Sequence, residues 1–309
     1  MPIRSAAGRA AVLALLATTL LADPAAAAPA GFAFLETPAG ARLSALGGAG
    51  ATLARGAEAA FWNPAGLDDV RGVQFTASHF ELWRNLRHED VAIAGRMFGG
   101  AVSASLRALY SEAIEQRDEV GNLIGSFGAH DLEFALGYAT RVAPGVTAGV
   151  SGQIVRERIA ELAAQTWAVS LGAAWDVARW PGMRVALGAH NLGPSAAYTI
   201  DGAKGEPVAL PAAVQGGVSY ALPAGRGLDL RAAAESRFTR GRPGVGVLAA
   251  ELSGFGAAAL RLGVRVNDDA ANVSLGAGWA LPALRLDYAW VPSRLDLEDT
   301  HRIALHAQF

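Results

Sequence analysis

From Val73 to its end, the sequence alternates apolar side chains with polar or small ones in runs of roughly ten residues. In the run 283–291, Leu284, Leu286 and Tyr288 are apolar, while Arg285 and Asp287 take the alternate positions. Period two places alternate side chains on opposite faces of a strand. Fourteen such runs begin near residues 73, 90, 101, 131, 146, 165, 183, 213, 227, 244, 258, 272, 283 and 300. The pattern predicts an all-β fold, a transmembrane antiparallel β-barrel of about 14 strands over residues 72–309.

The composition indicates which face of the strands meets lipid. Charged residues make up 17% of the chain, hydrophobic residues 52%, and the formal net charge is −2. The competing architecture is a soluble β-sandwich or propeller, which would direct its apolar face to a core and carry more charge outside. The scarcity of charge on one face predicts lipid outside and a lumen crowded by Gly, Ala and Ser inside. Near-neutral charge disfavours a nucleic-acid partner, and the absence of cysteine excludes disulfides and thiolate metal sites.

The connections between the runs predict the orientation of the barrel. Short connections at 99–100, 143–145, 178–182, 223–226, 253–256 and 282 alternate with longer ones, led by 111–130 and 192–211. Outer-membrane barrels have tight periplasmic turns and longer outside loops, so both termini are expected in the periplasm. The last strand sets Ile303, Leu305 and Phe309 on its apolar face and predicts insertion by the barrel-assembly machinery into outer-membrane lipid.

Residues 1–30 read as a secretory signal peptide. Arg4 and Arg9 precede the apolar run 10–21, and an alanine-rich stretch follows. The apolar run is shorter than the roughly 20 residues that a membrane-spanning helix needs, so a retained anchor is the less favoured alternative. The sequence therefore predicts export and a location in the cell outer membrane.

One long segment, residues 40–67, does not alternate. Leu43, Leu46, Ala49 and Leu53 follow the three- and four-residue spacing of a helix face. The sequence Trp-Asn-Pro-Ala-Gly at 62–66 then ends the helix, because proline lacks an N–H donor and disfavours helix in the residue before it. Barrels of 16 to 18 strands leave an aqueous channel, whereas eight strands can be filled by side chains. We therefore expect residues 31–71 to form a helical plug inside the lumen.

Charged side chains are scattered over the face that is expected to line the lumen. They are Arg96, Arg107, Glu133, Arg141, Arg184, Asp229, Arg231, Glu235, Arg261, Arg265, Arg285, Asp287 and Arg302. Because both signs occur at comparable depth, one interpretation is an internal network of ion pairs that holds the plug. The other is a site where one or two arginines bind the carboxylate of a ligand, since the guanidinium fork matches a carboxylate.

These features together resemble the PorV/PorQ family of outer-membrane proteins, related to the FadL-type long-chain fatty-acid transporters. The resemblance rests on the block with Gly40, Arg42, Gly47, Gly48 and Gly50, and on four further stretches. Those stretches are the Asn63, Pro64, Ala65, Gly66 turn, residues 118–131, residues 191–220 and the last strand. The resemblance implies a 14-stranded barrel with an N-terminal hatch. In the fatty-acid branch it implies passage of hydrophobic compounds, and in the PorV branch an adaptor that receives exported proteins from type IX secretion components.

The sequence contains no convincing catalytic or cofactor motif. The six histidines lack metal-ligand spacing, and Gly47, Gly48 and Gly50 lack the preceding strand and third glycine of a dinucleotide-binding turn. A hydrolase is the alternative enzyme hypothesis, because Ser, His and Asp occur, but no nucleophile motif supports it. We expect a monomeric non-enzyme without cofactor or metal, with lipid, a hydrophobic ligand or secretion components as partners.

Overall fold

The fold is dominated by β-strands. The structure, a computed structural model, describes residues 31–200, 203–225, 227–295 and 297–309. The predicted signal peptide lies outside these residues. The strands are β1 Val73–Leu82, β2 Leu86–Met97, β3 Gly100–Ser111, β4 Ile114–Arg117, β5 Leu123–Phe127, β6 Ala129–Ala143, β7 Val146–Ile159, β8 Leu162–Asp176, β9 Met183–Leu192, β10 Ala196–Ile200, β11 Ala203–Val208, β12 Ala213–Gly225, β13 Leu228–Thr239, β14 Val245–Phe255, β15 Ala258–Val266, β16 Val273–Ala280, β17 Leu284–Val291 and β18 Thr300–Gln308.

Fourteen of these strands close into an antiparallel barrel. The order around the ring is β1, β2, β3, β6, β7, β8, β9, β12, β13, β14, β15, β16, β17 and β18. The ring closes between first and last strands, where Phe75 lies opposite Ala307 and the Val73 N–H donates to Phe309 O. The predicted fold class is therefore confirmed, and each of the fourteen predicted runs corresponds to one strand of the ring.

The two ends of the barrel differ in their connections. At one end, here called the turn end, the connections between strands are short, as at 98–99 and 144–145. At the other, the loop end, two hairpins not predicted from the sequence extend from the barrel: β4–β5 and β10–β11. The connections β1–β2 and β7–β8 are also short although they lie at the loop end, so the predicted alternation of lengths holds only in part.

The barrel wall is apolar outside and polar inside. On β17, Leu284, Leu286 and Tyr288 are 44%, 52% and 40% exposed, whereas Asp287 between them is 0% exposed. This is the reverse of a soluble protein and it contradicts the sandwich or propeller alternative, because a wet exterior would place these large apolar side chains in water. Among the described residues, no helix is both long and apolar enough to cross a membrane.

The N-terminal segment, residues 31–71, consists of short helices. They are the 3-10 helices Ala33–Glu36, Gly56–Phe61 and Pro64–Asp69 and the α-helices Ala41–Ala45 and Gly50–Leu53. The helix face predicted from Leu43, Leu46, Ala49 and Leu53 is divided between two helices, because Gly47 and Gly48 have φ angles of 66° and 84°, in the left-handed region that glycine tolerates. This break turns the chain and buries Leu43, Leu46 and Leu53 together in one cluster.

Candidate functional site

The N-terminal segment lies within the lumen and contacts the inner face of the barrel on opposite sides. Helix Ala41–Ala45 packs against β15 to β18, whereas helix Pro64–Asp69 packs against β3, β6, β7 and β8. These two groups of strands lie across the ring from each other. The segment therefore spans the interior of the ring.

Glycines on the inner face let the backbone of the segment approach the wall. A Cβ on Gly149 of β7 would overlap the backbone of Pro64, and one on Gly172 of β8 would overlap the side chain of Asn63. Across the lumen, a Cβ on Gly263 of β15 would overlap the backbone of Gly47. Glycines of the wall thus leave space for two turns of the segment, one at Asn63 and Pro64 and the other at Gly47.

The turn that begins at Asn63 is held by its own side chain. The Asn63 Oδ1 accepts from the Ala65 N–H at 3.1 Å and caps the helix Pro64–Asp69, which begins with Pro64. The Asn63 Nδ2 donates to Ala51 O at 3.0 Å, and Gly66 packs against Ala54 O. Each residue of this predicted motif therefore has a local structural task.

Glu235 of β13 binds the start of the second α-helix. Its carboxylate accepts from the Ala51 N–H at 3.0 Å, and from the Thr52 N–H at 2.8 Å and Thr52 Oγ1 at 2.6 Å. Gln215 of β12 donates to the same carboxylate at 2.7 Å and to Gly48 O at 2.8 Å. A carboxylate that accepts several donors at a helix start is a strong, directional contact between wall and segment.

Arg42 of the segment forms an ion pair with Glu251 on the inner face of β14. Its Nε and Nη2 donate to the two carboxylate oxygens of Glu251 on β14 at 2.8 and 2.9 Å, and its Nη1 donates to Leu53 O at 3.2 Å. The side chains of Arg42 and Glu251 are almost fully buried. Burial lowers the pKa of Arg42, but the carboxylates of Glu251 and Glu58 raise it more, so its pKa lies above the ordinary range.

The same network continues towards the turn end. Arg261 donates to Glu251 at 2.7 Å and lies 2.8 Å from Asp287, and Arg285 lies 2.7 Å from Asp287 and 3.2 Å from Glu58. Burial raises the pKa of Glu58, whereas the positive charges of His306, Arg285 and Arg42 lower it more, so its pKa lies below its ordinary 4.5.

Glu58, Asp287 and His306 come close enough together to resemble a metal-ligand set, since their ligand atoms lie within 4.8 Å of one another. Both carboxylates, however, are already bonded to arginines, and a divalent cation would add positive charge to a cluster that Arg261 and Arg285 neutralise. The contacts favour an ion-pair network over a metal site.

Asp229 of β13 is exposed, and the other predicted lumen charges fall into three further groups. At the turn end, Arg96 and Arg141 both contact Asp68 of the segment, at 2.6 and 3.4 Å. Nearer the middle, Arg107 lies 3.5 Å from Glu133 and donates to Leu35 O. The last group pairs Arg231 with Glu251 at 3.7 Å, Arg265 with Asp268 at 3.0 Å, Arg184 with Asp69 at 3.0 Å and Asp176 at 3.5 Å, and Arg302 with Pro38 O at 2.7 Å and Ser44 Oγ at 2.9 Å.

Sequence reasoning missed several residues of this network. Glu251 lies on β14, whose alternation is faint because small residues occupy both faces, yet its parity with Val247 would have placed it inward. Glu58 and Asp68 lie in the segment, where no period-two pattern exists to indicate direction. Arg237 of β13 was also missed, although it shares the inward parity of Glu235.

Three spaces lie against the N-terminal segment inside the barrel. At the loop end, a vestibule of about 460 Å³ ends on Pro38, Gly48 and Trp62 of the segment. A narrow cavity of about 30 Å³ lies between the segment and the wall, next to Phe61. At the turn end, a vestibule of about 730 Å³ begins at Arg42. The segment contributes residues to the lining of all three spaces.

Solved structures with the same fold include transport proteins. The chain superposes on the Ralstonia pickettii toluene transporter TbuX with 15% identity and a TM-score of 0.61, covering 88% of this chain and 98% of that one. The Pseudomonas putida toluene transporter TodX gives 12% identity and a TM-score of 0.60 over the same shares. A Pseudomonas aeruginosa FadL homologue gives 11% identity and a TM-score of 0.50 over 87% and 97%. No protein-family model and no curated protein matches the sequence.

Proposed function

We propose that this chain is an outer-membrane channel through which small hydrophobic compounds pass, and that the N-terminal segment is a plug that controls the lumen. The observation that carries the proposal is that this segment lines a vestibule at each end of the barrel and the narrow cavity between itself and the wall. The shared fold with toluene transporters supports it. The loop end would then face outside and the turn end the periplasm, and the predicted signal peptide would supply the export route.

The segment is held by hydrogen bonds and ion pairs that can exchange. Arg42, Thr52 and Asp68 each bind a side chain of the wall, and the sequence has no cysteine with which to form a covalent lock. Passage would therefore require displacement or local rearrangement of the segment, because the cavity beside it, of about 30 Å³, has room for only a few water molecules.

A deletion tests the plug directly. Removal of residues 40–67 from the mature protein is expected to raise single-channel conductance in planar bilayers, because it joins the two vestibules. The matched control removes residues 114–127, which form the separate β4–β5 hairpin outside the ring. Equal conductance in both deletions and in the complete protein would contradict the plug.

Uptake separates transport from the alternative predicted by the PorV/PorQ resemblance, a secretion adaptor. Cells that lack the protein are expected to take up labelled toluene more slowly and to export proteins normally. Unchanged uptake together with exported proteins stranded in the periplasm would favour the adaptor and contradict the channel.

A further inference from the structure

The outer face of the barrel changes from apolar to basic at the loop end of β7 and β8. Ile154 of β7 and Trp167 of β8 lie opposite each other, and both are exposed on the lipid-facing side. Arg156 and Arg158 follow on the same face of β7 and are exposed, whereas Val155 before them is buried. Strand geometry puts the two arginines roughly 7 Å apart, directly beyond the apolar band.

A third cation lies in the same row of the sheet. Arg158 lies opposite Ala163 of β8, which in turn lies opposite Thr199 of β10. Thr199 lies opposite Lys204 of β11, and both are exposed. Because directly opposed side chains share a face of a sheet, Lys204 lies on the outer face, three strand spacings or about 14 Å from Arg158. Arg156, Arg158 and Lys204 are here called the rim cluster.

The rim cluster has no acidic partner in the part of the chain that the structure describes. The Arg158 Nε donates to Ala160 O at 3.0 Å, and none of the three cations forms an ion pair with a carboxylate there. Two exposed carboxylates belong to the same elements, Glu161 in the β7–β8 turn and Glu206 of β11, but neither is paired with the cluster. The cluster is therefore a patch of uncompensated positive charge at the edge of the lipid-facing wall.

A neighbouring arginine shows that this lack of partners is a local property. Arg87 of β2 lies in the same row of opposed residues as Arg158. Its guanidinium is paired with Glu112 at 2.7 Å and with Glu81 at 3.5 Å. The wall thus neutralises one arginine of the row with its own carboxylates and leaves the rim cluster available to a ligand.

We propose that the rim cluster binds the headgroup of a phosphorylated lipid of the outer leaflet. A phosphate of this lipid pairs with Arg156 and Arg158, and its acyl chains lie along Ile154 and Trp167. Guanidinium forks donate paired hydrogen bonds to phosphate oxygens, and basic residues just outside the hydrocarbon region attract anionic headgroups. A lipid is favoured over a free phosphate because the cluster is continuous with the apolar band, so that only a lipid contacts both.

The choice of leaflet rests on the orientation given with the proposed function, whereas lipid binding does not depend on transport. The test adds lipid A, a diphosphorylated glycolipid, to the purified complete protein in detergent and counts bound lipid by native mass spectrometry. Lipid A is expected to bind, and the same lipid without its phosphates to bind at least about tenfold more weakly. Inorganic phosphate should compete only at concentrations at least about 100-fold above that of the lipid.

Substitution then assigns the site. The double variant Arg156→Gln, Arg158→Gln is expected to weaken lipid A binding about 25-fold, because each basic residue near an anionic membrane surface contributes about fivefold. Arg87→Gln is the matched control, since Arg87 lies in the same row but is already paired, and it should change the affinity less than about threefold. Heat-modifiable migration in detergent gels checks that each variant is folded.

Undiminished lipid A binding in the folded double variant would overturn this proposal. Equal binding of the dephosphorylated lipid would also overturn it, because the apolar wall alone would then account for the contact. Competition by inorganic phosphate at the concentration of the lipid would indicate a site for the free ion and would exclude the lipid as occupant. An equal loss in Arg87→Gln would indicate a general effect of charge and contradict the assignment to the rim cluster.

A cysteine reporter identifies the leaflet, because the natural chain has no cysteine. Glu119→Cys lies in the exposed turn of the β4–β5 hairpin at the loop end, and a membrane-impermeant maleimide is expected to label it in intact cells. Labelling only after disruption of the cells would overturn the outer leaflet. Toluene flux in proteoliposomes keeps the two proposals separate. Lipid A binding without flux refutes the channel alone, whereas flux without lipid A binding refutes the lipid site alone.

Discussion

Substitution of Arg42 by methionine should release the N-terminal segment from the wall. Methionine retains most of the apolar stem but removes the two hydrogen bonds to Glu251 and the contact with Glu58. Removing one partner of a buried ion pair costs about 3 to 5 kcal/mol. Glu251 keeps Arg261 at 2.7 Å, so the remaining carboxylate is partly compensated and we expect a smaller loss than this, about 2 to 3 kcal/mol of docking free energy.

Thiol labelling measures this loss, because the natural chain has no cysteine. A reporter cysteine at Ala49, which is 0% exposed, reacts only when the segment undocks. If opening is fast relative to labelling, a loss of about 2 to 3 kcal/mol raises the labelling rate roughly 30- to 150-fold. Arg117→Met, which removes an exposed pair with Glu115 in the β4–β5 hairpin, is the control and should change the rate less than about fivefold. A folded Arg42→Met variant that labels at the rate of the control would refute the reasoning.

Three further predictions follow from packing, charge and lipid contact. Gly149→Ala should displace the turn at Pro64 and increase conductance in planar bilayers, whereas Gly152→Ala, where a Cβ meets nothing within 4 Å, should leave it unchanged. Because the pKa of Glu58 lies below its ordinary 4.5, its contribution to docking is complete above that pH and is lost as the pH falls below it. Conductance at pH 3.5 should therefore exceed that at pH 7, and Glu58→Gln should reduce the difference. Leu286→Arg on the lipid-facing side of β17 should cost up to about 2 to 4 kcal/mol and lower the folded fraction in gels, and an unchanged fraction would contradict lipid contact there.

Fold and site differ in how far local sequence could predict them. The direction of a strand residue is a local property, so parity alone indicated that Arg261 and Asp287 point inward and Leu286 outward. The hairpins β4–β5 and β10–β11 were missed because their strands are short and because β4, β5 and β11 lack a buried face. The partners of each charge were not predictable, since Arg42 and Glu251 are 209 positions apart and meet only after the ring has closed.

The amino-acid sequence by itself determined the fourteen strands, the lipid-facing side of each and the segment that belongs to none of them. The reason is that the alternation of apolar and polar side chains along a strand is visible in neighbouring residues. Only the tertiary structure decided that β1 pairs with β18, that Gly149 and Gly263 receive turns of the segment, and that Arg42 meets Glu251. Those outcomes depend on register and closure over the whole ring, which bring together side chains that no local pattern relates.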